Sequence, residues 1–77
     1  MYQKVGGDVN KVTNIKLRRN ELGLTQFEVA LKAGISYRGY QSIEAGERLP
    51  NVLSAQRIAH ALNSTVEKLF PIQIDKE

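Results

Sequence analysis

The chain has no cysteine, which removes disulfide cross-links and thiolate metal sites together. That absence suits a reducing cytoplasm, the expected location, although many small extracellular domains lack cysteine too. No apolar run reaches the roughly 18 residues that a membrane span requires. The opening stretch MYQKVGGDVNKV contains no hydrophobic signal core. Histidine occurs once, at His60, between Ile58-Ala59 and Ala61-Leu62; that setting reads as the outer face of a helix. No carboxylate pair flanks a nucleophile, no glycine-rich phosphate loop precedes a helix, and no spacing suits a metal. The expectation is therefore a protein that is not an enzyme and that carries no cofactor or metal.

What remains is short and mildly basic. Seventy-seven residues allow one domain, and a domain of this size buries only about 60% of its unfolded surface. The formal charge of +3 and pI near 9.5 admit a polyanionic partner if the cations gather on one face.

The pattern along the chain divides it into an N-terminal arm (1–9), a helical domain (10–70) and a tail (71–77). Gly6-Gly7 interrupts the arm, which reads as extended or as a short edge strand anchored by Tyr2 and Val5. From Asn10, Val12, Ile15, Arg19 and Leu22 recur at helical spacing before Gly23 stops the run. Thr25 with Glu28 forms a capping-box pattern, preceded by the staple residue Leu24. Gln26, Val29, Ala30 and Ala33 then mark an inner face, and Gly34 ends the second helix. Ser36 caps a third helix whose Tyr40, Ile43 and Glu44 share one side. EAGERLPN is a loop that leads to Asn51, the next cap. Val52, Ala55, Ile58, Ala59 and Leu62 line a fourth helix, with Asn63 as a left-handed terminator. Thr65 opens a last short helix with Val66, Leu69 and Phe70; Pro71 closes it, and IQI is either a brief strand or an extended tail. The fold class is all-α: a compact five-helix bundle.

The second and third helices carry the functional signal. Ala30 is small where helices must approach, Gly34 allows a tight turn, and Ile35, Tyr40 and Ile43 are apolar where one helix crosses the other. That combination describes a helix-turn-helix. The stretches LGLTQFEVALKAGIS, SIEAGERLPN and IAHALNSTVEKLF occur in the order found in the phage-repressor (Cro/XRE-type) helix-turn-helix family of bacterial DNA-binding regulators. Residues 14 to 70 resemble that family, with its lambda-repressor-like bundle.

The resemblance implies that the third helix enters the major groove of double-stranded DNA while the second lies over the backbone. A helical wheel with Tyr40, Ile43 and Glu44 inward turns Arg38 and Ser42 outward, sets Gln41 to one side, and leaves Tyr37 at the helix entry. Arg38 has the fork for guanine O6 and N7, against the alternative of a solvated arginine. Gln41 suits an adenine edge, or equally a phosphate or only water, and Ser42 a base or a phosphate. Tyr37 fits a phosphate or a thymine methyl, with packing on the second helix as the competitor. Gln26 implies a phosphate clamp at its helix N-terminus, or else a glutamine that caps its own helix. Arg48 and Asn51 imply backbone contacts, or an ordinary charged turn. Lys16, Arg18 and Lys32 would add long-range attraction without contacts.

In the family, the residues matching Arg19 and Glu44 form a structural ion pair, so a partly buried bridge is implied here. Gly39 departs from the pattern; it either lets the backbone approach the groove or is merely tolerated at about 1 kcal/mol relative to alanine. Tyr40 replaces a smaller aliphatic residue, so its ring should pack inward with the hydroxyl at the rim. The expected assembly is a homodimer on a palindromic operator, acting as a repressor. Val66, Phe70, Ile72 and Ile74 form its interface, with Phe27 and Leu53 as lesser candidates. So short a chain leaves no room for a sensing domain, so regulation would come from concentration or a partner protein. The alternative reading is a protein-interaction module, such as an antitoxin or anti-regulator, on the same fold.

Overall fold

Every helix of the structure begins at a side-chain cap. Thr13, Thr25, Ser36, Asn51 and Thr65 are all extended, and each accepts a hydrogen bond from the backbone N–H three residues on. The helices they open are α1 (Asn14–Leu22), α2 (Gln26–Ala33), α3 (Tyr37–Glu44), α4 (Val52–Ala61) and α5 (Val66–Leu69). Helices this short are marginal in isolation, so a cap worth about 1 kcal/mol matters to each. At α2 the cap is a full box, because Glu28 Oε1 also accepts from Thr25 N at 2.8 Å.

The computed structural model describes residues 13–71, all-α throughout that span. The arm, Asn10, Val12, Ile72, Ile74 and the strand expected near them lie outside the described residues. Within it, α1 starts at Asn14 and not at Asn10, because Thr13 is extended and its hydroxyl accepts from Lys16 N. The same hydroxyl donates to the Glu44 carbonyl at 2.7 Å, tying the start of α1 to the end of α3.

Left-handed residues stop the first four helices. Gly23, Gly34, Gly46 and Asn63 all have positive φ. At each, the amides of that residue and the next turn back to the final carbonyls of the helix. This closes the carbonyl end within two residues and keeps the connections tight.

The core is built from Ile15 of α1, Val29, Ala30 and Ala33 of α2, Tyr40 and Ile43 of α3, Ile58, Ala59 and Leu62 from the α4 region, and Leu69 of α5. Alanines on α2 and α4 let those two helices pack closely, and α2 also packs on α3. Two residues expected to face inward do not: Leu22 is 39% exposed and Val52 74%. Each is a terminal helical residue and lies past the edge of the core, where helical phase no longer implies cover.

Glu44 is 2% exposed, a buried charge. It meets Arg19 through two close contacts, Nε to Oε1 at 3.0 Å and Nη2 to Oε2 at 2.8 Å. Arg19 Nη1 also donates to the Leu24 carbonyl at 2.8 Å. Hydrogen bonding to Glu44, above all, raises the Arg19 guanidinium above its ordinary pKa against the opposing effect of burial. Tyr40 corrects its expectation: the hydroxyl does not reach the rim but is fully buried near this pair, without a hydrogen-bond partner. Burial first, and the Glu44 carboxylate next, push its phenol well above the usual range.

Arg18 has a structural role that the sequence did not suggest, as a clasp on the end of α4. Its Nε donates to the Leu62 carbonyl at 2.9 Å, Nη2 to the Asn63 carbonyl at 3.1 Å, and Nη1 to Glu21 Oε1 at 3.2 Å. A cation among the last carbonyls of a helix suits their partial negative charge.

These ties have measurable consequences for stability. Glu44→Ala should cost about 3–5 kcal/mol in denaturant unfolding, because it strands a largely buried guanidinium. The double variant Arg19→Met with Glu44→Leu should lose less than the sum of the two singles, which a double-mutant cycle measures. Arg18→Ala should cost about 1–2 kcal/mol, seen as a lower denaturation midpoint with an unchanged slope.

Candidate nucleic-acid interface

Gly34-Ile35-Ser36 turns the chain between α2 and α3. Gly34, at φ 71°, has the left-handed conformation that a side chain would oppose. Gly34 N donates to the Leu31 carbonyl and Ile35 N to the Ala30 carbonyl, which locks the turn. Ser36 then restarts the helix by accepting from Gly39 N at 3.0 Å. A Cβ at Gly39 would lie 2.8 Å from Ser36 Oγ, a side-chain atom that can shift. The other four caps carry a residue with a side chain at the matching position, so the cap does not require this glycine.

With Tyr40, Ile43 and Glu44 buried, the opposite side of α3 is open. Arg38 is exposed and Tyr37 is 46% exposed. Gln41 is half-buried, and its Nε2 donates to Gln26 Oε1 at 3.2 Å. That bond leaves Gln41 Oε1 and Gln26 Nε2 for other partners. Ser42 departs from the wheel, being half-buried. Its carbonyl accepts from Glu47 N at 2.9 Å in the turn at Gly46.

The first amides of a helix have no partner inside it. At α2, Glu28 N is taken by Thr25 Oγ1 and Val29 N by the Thr25 carbonyl, so Gln26 and Phe27 present theirs outward. Arg48 is exposed in the loop after α3. Asn51 is exposed too, but its Oδ1 accepts from Ser54 N at 2.8 Å, leaving only its Nδ2 as a side-chain donor.

The Tyr37 ring packs on α2, the competing role that the sequence reading named for it, and its partner there is Phe27. Phe27 and Tyr37 stand edge to face, with centroids 5.7 Å apart and planes at 80°. The reading had set Phe27 aside for a dimer surface, since nothing in local spacing links a residue of α2 to the first residue of α3. Of the other residues assigned to that surface, Val66 and Phe70 are half-buried and line one groove with Leu49, Pro50 and Val52. Leu53 is exposed elsewhere, beside Lys32, Arg57 and His60. No helix among the described residues is long and apolar enough to cross a membrane.

Comparison with known proteins agrees with this geometry. A helix-turn-helix family model matches residues 15–69. An uncharacterized HTH-type transcriptional regulator of Methanothermobacter thermautotrophicus is 38% identical over 64 residues, spanning 82% of this chain and 93% of its own. A second, y4dJ of Sinorhizobium fredii, is 40% identical over 60 residues, 77% of this chain and 78% of that one. Among solved structures, the restriction-modification controller protein C.AhdI of Aeromonas hydrophila superposes with a TM-score of 0.70 at 24% identity. The match covers 74% of this chain and 86% of that one, a likeness of fold. Capped α2, a left-handed glycine turn, an outward-facing α3 and the matched span together place this chain in the Cro/XRE-type helix-turn-helix family of DNA-binding transcriptional regulators.

Proposed function

We propose that the protein is a sequence-specific repressor that binds a palindromic operator as a homodimer, with α3 in the major groove. The observation that carries the reading is the open side of α3. Arg38 is exposed beside Tyr37 and Gln41, while Tyr40, Ile43 and Glu44 on the inward side of the same helix are buried. Arg38 is the guanine-reading side chain, matched by its fork to O6 and N7. Gln41 reads an adenine edge or a phosphate from a position braced by Gln26, and Ser42 contacts the same groove wall. Gln26 and the free amides of α2 hold a phosphate; Arg48 and Asn51 hold the backbone beyond α3.

A dimer is favoured by length and by surface. An eight-residue helix is roughly 12 Å long, enough for only a few base pairs. Two copies on half-sites about 34 Å apart supply the missing affinity and selectivity. The groove of Leu49, Val52, Val66 and Phe70 is an apolar surface suited to self-association. A regulatory protein remains the alternative occupant, and cytoplasmic action follows from a DNA target.

Selection from a random oligonucleotide pool, repeated over a range of salt, tests the reading. An enriched palindrome is the expected result; no enriched sequence, with tight capture of one protein instead, overturns it in favour of an interaction module. On the enriched site, Arg38→Ala should lose about 1–3 kcal/mol of discrimination at one base pair while keeping weak nonspecific binding. Gln26→Ala should weaken binding to every sequence alike. Arg48→Ala should lower the salt dependence by roughly one phosphate contact.

A further inference from the structure

We infer that Phe27 is a positioning residue of the reading surface, holding the Tyr37 ring in the orientation in which it meets DNA. The inference rests on the proposed DNA reading and deepens it.

Phe27 is 57% exposed and lies outside the hydrophobic core. A phenylalanine so exposed buries little for the fold, so its burial alone does not explain it. The Tyr37 ring, also exposed, is the aromatic neighbour it has. Tyr37 is the first residue of α3, where no preceding turn of its own helix restrains the side chain. A ring in that place would exchange among rotamers unless something else held it. The perpendicular arrangement at 5.7 Å supplies such a hold, since an edge-to-face pair sets the positive edge of one ring against the negative face of the other.

The neighbouring contact has the same design. Gln26 and Phe27 are consecutive in α2, and Tyr37 and Gln41 are one turn apart on α3. Gln26 restrains Gln41 through a hydrogen bond, and Phe27 restrains Tyr37 through its ring. The first turn of α2 is thus a template for one row of α3 side chains. Fixing a contact residue before binding removes part of the ordering cost that association otherwise carries.

The test pairs a measurement on the free protein with one on DNA. In the free wild type, Tyr37 Hα–Hβ couplings should report one χ1 rotamer; in Phe27→Ala they should average, and Phe27→Tyr, which keeps the ring, should restore them. Thermal melting should be nearly the same in all three. Phe27→Leu, which keeps the bulk without the ring, serves as the second variant should Phe27→Ala unfold, and should behave like it. On the selected operator, Phe27→Ala should lose about three- to tenfold in the same quantity that Tyr37→Ala lowers, selectivity at one step for a thymine methyl or affinity for a phosphate. The double variant should be no worse than Tyr37→Ala alone. Couplings unchanged by loss of the ring overturn the inference and leave the DNA reading standing. So does selectivity or affinity unchanged in Phe27→Ala but lost in Tyr37→Ala. A wild type that enriches no sequence overturns the DNA reading itself, and the inference with it.

Discussion

The Glu44 carboxylate ends α3 inside the protein, and the arginine that neutralises it comes from α1. A lone carboxylate at that depth would be strongly unfavourable, so α3 can end there only if Arg19 arrives as well. Arg19 in turn holds the Leu24 carbonyl, at the turn into α2. One charge pair therefore relates α1, the start of α2 and the end of α3. Thr13 adds a second tie to the Glu44 carbonyl. The angle at which α3 leaves α2, and hence the face it shows to a groove, depends on this cluster.

Because α3 has only eight residues, it must divide its sides sharply. Its inner positions go to Tyr40, Ile43 and Glu44. Tyr40 is fully buried, and the Glu44 carboxylate beside it is one cause of its raised phenol pKa. The outer positions are then relieved of any packing role and can carry an arginine, a glutamine and a tyrosine. What keeps these outer side chains from being merely mobile is α2, whose first turn reaches Gln41 and Tyr37.

Much of the fold was legible from residues close in sequence. A cap and the amide it satisfies are three residues apart, a left-handed terminator meets carbonyls three to five residues back, and an inner face repeats every three or four. All three relations are closed within about one helical turn. For the same reason Thr25, Ser36, Asn51, Thr65, Gly23, Gly34 and Asn63 could be read directly as boundaries. The outward side of α3 followed from the same periodicity. Errors gathered where periodicity stops being informative: Val52 and Leu22 at helix ends, half-buried Ser42 on α3, and the start of α1, which is Asn14.

By itself, then, the amino-acid order settled which segments are helices, where they stop, and which side of each is apolar, because short-range hydrogen bonds and side-chain phase decide these. Tertiary structure alone decided who meets whom. Arg18 finds carbonyls 44 and 45 residues away, Gln41 finds Gln26 at a separation of 15, and Phe27 finds Tyr37 across a glycine turn. Such meetings depend on the crossing angles of packed helices, which follow from the shape of the whole core and from no single stretch of chain.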